Sequence, residues 1–206
     1  MQLVVATRSA HKLSEIRTIL SVVPHLEVLD LNEAGVAYSE AEEALEPYET
    51  FEENALSKAR YYQARTGLPT VADDSGISVD ALDGAPGVRS KRFAPDEGLD
   101  GEARDQANNR HLLRSLDGRP PEERGAKYVC VAVMVSGDGE PLVCRGEAPG
   151  QIADAPQGTG GFGYDPLFFD PELGRTFGQI DPAEKHARSH RGRAFRALAQ
   201  HLLSVG

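Results

Sequence analysis

Two adjacent carboxylates and a hydroxyl follow an apolar run near the middle of the chain, in the sequence Asp73-Asp74-Ser75-Gly76. The run from Thr70 to Asp73 predicts a strand, and DDSG predicts a sharp turn after it. Carboxylates at the end of a strand suit a hard cation, because Mg²⁺ prefers a few carboxylates, water and substrate phosphates to a full protein cage. A carboxylate there could also take a proton from an attacking water. A polar turn that only caps the strand is the alternative interpretation.

A second candidate site lies at Thr7-Arg8-Ser9-Ala10-His11-Lys12, where a predicted strand over residues 2–6 gives way to a helix. Free backbone N–H groups at a helix start favour an anion such as phosphate. Arg8 and Lys12 add positive charge, although the segment does not match the GxxxxGK[ST] pattern of a Walker loop. A strand-to-helix connection with solvated basic residues stays open.

The sequence GTGGFG at residues 158–163 matches the GxGxxG pattern of dinucleotide-binding folds. That pattern must open a helix, whereas here the aromatic, extended run YDPLFF follows it. We therefore expect a shaped loop over residues 149–166, which are rich in glycine and proline. The loop would present Phe162 or Tyr164 as a stacking face and Asp165 as a hydrogen-bond acceptor. A turn with two core aromatics is the alternative.

A cluster of hydrogen-bond donors lies near the C-terminal end of the chain. The sequence SHRG at residues 189–192 predicts a break between two helical segments, and Lys185, His190 and Arg191 flank it. Donors suit keto oxygens or phosphates and would disfavour an exocyclic amino group, because a buried donor facing another donor stays unpaired. Solvated helix ends would give the same pattern.

Composition and charge limit the function classes. The chain has 206 residues, 40% of them apolar and 26% charged, with a net charge of -10. This acidic balance argues against general adhesion to nucleic acid or to an anionic membrane. Residues 27–49 hold eight acids and no Lys or Arg, whereas residues 185–206 hold five Lys or Arg and no acid. One pole could attract cations and the other anions, or both could be solvated faces.

The sequence shows no run of about 20 apolar residues and no signal-peptide pattern. We therefore expect a cytoplasmic protein. Cys130 and Cys144 flank a turn-like Gly-Asp-Gly sequence. We expect free buried thiols, because a cytosolic chain rarely keeps a disulfide.

The remaining patterns predict a single α/β domain over residues 1–206 with a mixed sheet. Thr50 and Glu53 form a capping-box pattern that starts a helix, and Gly67 can end it. Residues 102–116 predict another helix, residues 127–135 and 141–147 a hairpin, and Asp181-Pro182 the start of a further helix.

Together, these segments resemble the inosine triphosphate pyrophosphatase family over nearly the whole chain. The resemblance rests on five blocks in the family's order and spacing: TFEENA at 50–55, ADDSG at 72–76, GAPGV at 84–88, GTGGFGYDP at 158–166 and SHRG at 189–192. The resemblance implies an elongated mixed sheet flanked by helices, with two lobes and a central cleft, usually assembled as a homodimer.

The family resemblance also implies an activity: magnesium-dependent cleavage of ITP, dITP or XTP between the α and β phosphates, giving the nucleoside monophosphate and pyrophosphate. Asp74 matches the family's catalytic base and a metal carboxylate, and Glu46 matches the second metal carboxylate. The remaining matches are to substrate contacts: Thr7 and Lys12 on the triphosphate, Ser75, the base-holding loop Phe162-Gly163-Tyr164-Asp165, and Lys185, His190 and Arg191 on the purine's keto edge.

The first block departs from the family's usual Thr-Gly-Asn, because here it reads Thr7-Arg8-Ser9. We place Arg8 and Ser9 with the substrate-binding residues. Ser9 keeps a hydroxyl but lacks the two-sided hydrogen bonding of an amide, and Arg8 brings a bulkier cation. Likewise, His186 and Arg188 stand where the family tends to have Asn and an apolar residue.

Three other functions stay open at this point. The chain could be a hydrolase with another cleavage position or one acting on ordinary nucleotides, which the reaction products would reveal. It could be a nucleotide-binding sensor without turnover. The GxGxxG match leaves a nicotinamide-dependent oxidoreductase as a third candidate, for which we expect no cofactor binding.

Overall fold

The computed structural model describes residues 1–95 and 98–205, with the side chain of Val205 left aside. Within these residues the strands are Gln2–Val5 (β1), Glu27–Leu29 (β2), Thr70–Val79 (β3), Gly125–Val135 (β4), Leu142–Ile152 (β5), Phe168–Asp170 (β6) and Arg175–Thr176 (β7). The α-helices are Ala10–Leu20 (α1), Phe51–Thr66 (α2), Gly101–Ser115 (α3), Pro182–Arg188 (α4) and His190–Val205 (α5).

The strands form a sheet in the order β2-β1-β3-β4-β5-β6-β7. β1 runs parallel to both β2 and β3, with Val4 opposite Thr70, whereas β6 runs antiparallel to β5 and β7. The parallel pairs follow from the helical crossovers α1 and α2, which return the chain to the same end of the sheet. The predicted mixed α/β sheet is confirmed.

The chain forms two compact units, which we call unit 1 and unit 2. Unit 1 comprises Met1–Asp74, Cys130–Gly146 and the chain from His190 onward. Its core packs α1 and α5 with strand residues of β1, β3 and β4. The largest apolar side chains in that core include Leu3, Ile16, Leu20, Phe195 and Leu198, each at most 1% exposed.

Unit 2 comprises Ser75–Val129 and Glu147–Ser189. Its core is rich in aromatic side chains, with Tyr128, Phe168 and Phe177 in mutual ring contact. Leu112 and Leu116 from α3 and its C-terminal end join this cluster.

Helix boundaries follow the capping residues that the sequence indicates. The hydroxyl of Thr50 accepts from the backbone N–H of Glu53 and donates to the Glu53 carboxylate. Helix α2 begins at Phe51, directly after Thr50. Gly67 ends α2 in the left-handed region with a φ of 68°, where glycine is favoured. Asp181 caps α4 by accepting from the backbone N–H of Glu184.

Two expectations about loops are wrong. The DDSG sequence is not a turn, because β3 continues through it from Thr70 to Val79. Strand β5 extends to Ile152, so the first residues of the predicted loop at 149–166 belong to the sheet. In both places pairing with neighbouring strands outweighs the local preference of Gly, Asp and Pro for turns.

Cys130 and Cys144 are free and buried, as the sequence predicts. Among the described helices, none has the length and apolar character needed to cross a membrane.

Candidate active site

Asp73 and Asp74 are consecutive residues of a continuous strand, so their side chains leave opposite faces of the sheet. Asp73 is buried in unit 1. Its Oδ2 accepts from Lys12 Nζ at 3.0 Å and from Arg191 Nη2 at 3.4 Å, and Cys130 Sγ lies 3.9 Å away. Burial alone would raise the pKa of Asp73, but the charges of Lys12, Arg191 and Lys58 lower it far below its usual range.

Asp74 has a different environment. Its Oδ2 accepts from the Nδ2 of Asn54 at 3.0 Å. Two hydrogen bonds to the backbone of Tyr48 fix Asn54. Its Nδ2 donates to the Tyr48 carbonyl, and its Oδ1 accepts from the Tyr48 N–H. The carboxylate of Asp74 is therefore held in a defined orientation by a buried amide.

Lys58 joins the acidic segment to the strand. Its Nζ donates to Glu46 Oε1 and to the backbone carbonyl of Asp73, both at 2.5 Å. Lys58 lies on α2 one turn after Asn54, and an i, i+4 spacing places both side chains on the same helix face. One face of α2 thus contacts the carboxylate of Asp74 through Asn54 and that of Glu46 through Lys58.

The pKa values of Glu46 and Asp74 shift in opposite directions. Burial would raise the pKa of Glu46, but the charge and hydrogen bond of Lys58 bring it below its usual value. Burial raises the pKa of Asp74; Lys58 opposes this rise, and the nearby charge of Glu46 reinforces it. Such a divergence is typical of carboxylates with different chemical roles, in which the one with the raised pKa is the better proton acceptor.

Within the described part of the chain, no three His, Cys, Asp or Glu side chains are grouped as a metal site. Glu46 and Asp74 supply two hard oxygen donors beside Lys58. That donor set fits an ion such as Mg²⁺, which is bound through one or two carboxylates together with water and substrate phosphates.

The sequence interpretation did not single out Lys58 or Asn54. Both follow the predicted cap at Thr50 and lie among the apolar positions Ala55, Ala59 and Tyr62 of α2. The available signal was the i, i+4 spacing of two polar residues, Asn54 and Lys58, beside the apolar stripe of α2. Such a pair would have indicated side chains that face partners inside the protein.

The N-terminal turn is built as a helix start. Ser9 caps α1 by accepting from the backbone N–H of Lys12 at 3.4 Å, and the Ser9 N–H donates to Thr7 Oγ1 at 3.2 Å. The first turn of α1 contains no acidic residue. The Arg8 side chain extends to Glu42, Val36 and Asn32. The predicted phosphate contacts of Thr7, Arg8, Ser9 and Lys12 stay predictions.

The sequence predicts a break over residues 189–192, but the structure confines it to Ser189, because His190 and Arg191 already form the first turn of α5. Arg191 is 2% exposed, and its Nη1 donates to Glu15 Oε2 of α1 at 2.7 Å. With its second contact at Asp73, the guanidinium links α5 to α1 and β3. The predicted contacts of His190 and Arg191 with a purine stay predictions, as does that of Ser75, which is half-buried in β3.

In unit 2, Asp165 organises the glycine-rich loop. Its Oδ2 accepts from the backbone N–H of Phe162 at 2.7 Å and from Lys185 Nζ at 2.6 Å, and its Oδ1 accepts from the Tyr128 hydroxyl at 3.3 Å. The ammonium of Lys185 lies 4.6 Å from the centre of the Phe162 ring. Asp165 therefore holds a cation next to an aromatic face.

Neighbouring groups fix the rest of the loop. The backbone of Gly163 donates to Asp105 Oδ2 at 2.7 Å and accepts from Asn109 Nδ2 at 3.0 Å, both from α3. Tyr164 is buried, and its hydroxyl donates to the carbonyl of Ser90 at 2.7 Å. Of the two aromatic residues offered as stacking faces, Tyr164 is thus a core residue, whereas Phe162 is half-buried. The loop opens no helix, which agrees with the rejection of the dinucleotide-binding pattern.

Comparison with known proteins now adds to this geometry. The model of the Ham1 family matches residues 3–201. This chain belongs to the Ham1 family. A protein from Frankia alni named dITP/XTP pyrophosphatase is 47% identical, with 100% of this chain and 98% of that protein aligned. A dITP/XTP pyrophosphatase from Mycolicibacterium paratuberculosis is 49% identical over 95% of this chain and 93% of that protein. These matches confirm the resemblance inferred from the five sequence blocks.

Solved structures of the family share the fold. A HAM1 protein from Coxiella burnetii is 36% identical, with a TM-score of 0.86 and 99% of both chains covered. A nucleoside-triphosphatase, also titled dITP/XTP pyrophosphatase, from Mycobacterium abscessus is 42% identical, with a TM-score of 0.75 over 96% of this chain and 98% of that one.

Proposed function

We propose that this protein hydrolyses the nonstandard purine nucleoside triphosphates dITP, XTP and ITP to the monophosphate and pyrophosphate. The main support is the identity of 47–49% with dITP/XTP pyrophosphatases over nearly the full chain. The arrangement of Glu46, Lys58 and Asp74 supports a reaction in which charge neutralisation and positioning supply most of the catalysis.

Glu46 and Asp74 would hold a divalent ion, which we propose to be Mg²⁺ on the basis of their hard oxygen donors. When bound, this ion neutralises phosphate charge and polarises the phosphorus under attack. Lys58 stabilises both carboxylates before substrate and metal arrive, because its ammonium is bonded to Glu46 and its charge opposes the rise in the pKa of Asp74.

Asp74 is the proposed general base. In the protein without metal, burial and the charge of Glu46 raise its pKa, so that its carboxylate is more basic than an ordinary aspartate. Asn54 orients the carboxylate through Oδ2. The water that loses its proton to Asp74 would attack the α phosphorus, and pyrophosphate would leave.

The start of α1 is the proposed site for the triphosphate. The N-terminal N–H groups of an α-helix and its dipole favour an anion. Thr7 and Ser9 contribute hydroxyls, and Lys12 contributes a charge that Asp73 holds in place from the strand.

The loop containing Phe162, Gly163, Tyr164 and Asp165 is proposed to hold the base by stacking on Phe162. Lys185, His190 and Arg191 are proposed to donate to the purine's keto edge, with Ser75 as a further substrate contact. Hypoxanthine and xanthine carry a keto oxygen where adenine carries an amino group. Buried donors of the protein would bind the keto oxygen but would face the amino group of adenine, which is also a donor, and so would stay unpaired. We further propose a cytoplasmic homodimer, as the family resemblance implies.

Product identification tests this proposal. Purified protein is incubated with ITP, dITP, XTP, GTP and ATP, with and without Mg²⁺, and every phosphate-containing product is identified. We expect monophosphate and pyrophosphate from ITP, dITP and XTP only when Mg²⁺ is present, and much slower turnover of ATP. Release of orthophosphate as the first product, or binding without turnover, would contradict the proposal.

A further inference from the structure

Arg8 binds a segment of the chain far from it in sequence. Its Nε donates to Glu42 Oε2 at 3.0 Å and its Nη2 donates to Glu42 Oε1 at 2.7 Å, so the guanidinium contacts both carboxylate oxygens. Nη2 also donates to the carbonyl of Val36 at 3.1 Å, and Nη1 donates to Asn32 Oδ1 at 3.3 Å. A bidentate pair fixes orientation as well as distance, which the point charge of a lysine does not.

Glu42 is more than a surface partner for Arg8, because its side chain is only 8% exposed. Its carboxylate also accepts from the backbone N–H of Ser39 at 3.2 Å, and an interaction with the hydroxyl of Tyr62 on α2 helps to lower its pKa. The hydrogen bond from Arg8 is the main cause of the lowered pKa of Glu42. Glu42 therefore connects the β1–α1 turn to α2.

A short anchored stretch leads from Glu42 to Glu46. Glu42 belongs to a 3-10 helix, Glu40–Ala44, that Ser39 caps. The next residue, Leu45, is buried, and Glu46 follows it and pairs with Lys58. Because only three residues separate the two glutamates, a displacement of Glu42 would be passed directly to Glu46.

The charge of this segment explains why such an anchor is needed. Residues 27–49 contain eight acids and no Lys or Arg, so their counterions come from other elements. Arg17 of α1 pairs with Glu33, Lys58 of α2 pairs with Glu46, and Arg8 pairs with Glu42 between them. Loss of the central cation would leave a largely buried carboxylate unpaired.

We propose that Arg8 is a positioning residue, which fixes the carboxylate of Glu46 for metal binding through its bidentate contact with Glu42. This role differs from the triphosphate contact that the sequence predicts for Arg8. It rests on the proposed function of Glu46, and it adds the means by which residues 30–49, which form neither a β-strand nor an α-helix, are held in place.

A double-mutant cycle tests the proposal, with Arg8→Gln and Glu42→Gln made singly and together. Each single variant should raise the Mg²⁺ concentration for half-maximal ITP hydrolysis by about fivefold, and the double variant should add little, because the same pair is already broken. If Arg8 acts only through Glu42, the KM for ITP at saturating Mg²⁺ should change by less than about twofold, whereas loss of a triphosphate contact would raise it. In the protein without metal or nucleotide, amide hydrogens of residues 36–46 should exchange faster in both single variants.

Arg17→Gln is the matched control. Arg17 of α1 also pairs with a carboxylate of residues 27–49, but its partner Glu33 is farther along the chain from Glu46 than Glu42 is. It should leave the Mg²⁺ requirement unchanged. The proposal is overturned if Arg17→Gln has the same effect, or if Arg8→Gln raises the KM for ITP without changing the Mg²⁺ requirement or the exchange. Failure of the wild-type protein to release pyrophosphate would instead overturn the proposed function, whereas the exchange measurement needs no substrate and still tests the anchor.

Discussion

The ammonium of Lys58 contacts the carboxylate of Glu46 at 2.5 Å, and the same ammonium is bonded to the backbone carbonyl of Asp73. A cation of the protein itself therefore lies among the carboxylates proposed to bind a metal. Its charge lowers the pKa of both Glu46 and Asp74 and so offsets part of the rise that burial causes. It also means that any incoming divalent ion experiences a nearby positive charge.

Replacement of Lys58 by methionine should consequently strengthen metal binding by the free protein. Repulsion between a unit charge and a divalent ion about 4 Å apart is worth about 2 kcal/mol in water and about 8 kcal/mol near a protein surface, so we expect Mn²⁺ affinity to rise at least about tenfold. Turnover of ITP should fall, because Glu46 loses the partner that orients it. Isothermal titration with Mn²⁺ checks the first effect and pyrophosphate release the second.

Lys127→Met is the control for this change, because Lys127 pairs with Glu147 in unit 2 and is half-exposed. Its Mn²⁺ affinity should match that of the wild type. An unchanged or weaker affinity in Lys58→Met would show that the ammonium is not close enough to the bound ion to repel it.

Asp74→Asn should reduce the kcat for ITP by about 10²–10⁴-fold, because general-base catalysis typically contributes that much. The amide keeps the shape of the carboxylate and can still bond to Asn54, so the midpoint of thermal unfolding should move little. Steady-state kinetics at saturating Mg²⁺, together with thermal unfolding, separates the two effects. Near-normal turnover of Asp74→Asn would show that Asp74 is not the general base.

The sequence predicted the helix caps at Thr50 and Asp181, the mixed sheet and the family, because these depend on local hydrogen bonding and on motif order. It did not predict that β3 runs through DDSG. Asp, Ser and Gly favour turns in isolation, but Lys12, Arg191 and Asn54 supply partners that allow two carboxylates to lie within a strand. Those partners come from three separate elements.

Lys58 and Glu42 could not be assigned from the sequence for a related reason. A lysine on a helix and a glutamate in an acidic run are usually solvated. The i, i+4 spacing of Asn54 and Lys58 indicates that Lys58 faces the protein, but it does not identify the partner. Their roles depend on pairs that only the fold brings together, Lys58 with Glu46 and Glu42 with Arg8.

Asp170 should make the stability of the protein depend on pH. Burial would raise its pKa, but bonds from Arg188 and from the backbone of Glu172 and Leu173 lower it. Its stabilising contribution is therefore full above the unfolded value of about 4 and is lost as pH falls through the folded pKa. Asp170→Asn should lower the free energy of unfolding by about 1.5–3 kcal/mol at pH 7, the range for hydrogen bonds to charged groups.

Urea unfolding of the wild type and Asp170→Asn at several pH values between 7 and 2.5 provides the measurement. The difference in free energy of unfolding between the wild type and Asp170→Asn should become smaller as the pH falls. A difference in free energy of unfolding that stays constant down to the lowest pH would mean that the charge of Asp170 contributes nothing to the bond with Arg188.

Gly161→Ala should disrupt the proposed base-holding loop without affecting the metal site. Gly161 has a φ of +74°, and an added Cβ would lie 2.0 Å from Asp165 Oδ2. That carboxylate oxygen holds both the Phe162 backbone and Lys185, so it would have to move and would release the cation from the aromatic face. Loss of one base-stacking contact is worth about 1–3 kcal/mol, which predicts an increase of about 5- to 150-fold in the KM for ITP.

Gly118→Ala separates this steric effect from backbone strain. Gly118 lies in the same unit with the same φ of +74°, and its added Cβ would meet nothing within 4 Å. Both variants should lose a similar amount of stability from the left-handed backbone, but only Gly161→Ala should raise the KM, with the Mg²⁺ requirement of both unchanged. Equal KM values for the two variants would mean that displacing Asp165 Oδ2 does not weaken nucleotide binding, because of these two substitutions only Gly161→Ala places its Cβ against that oxygen.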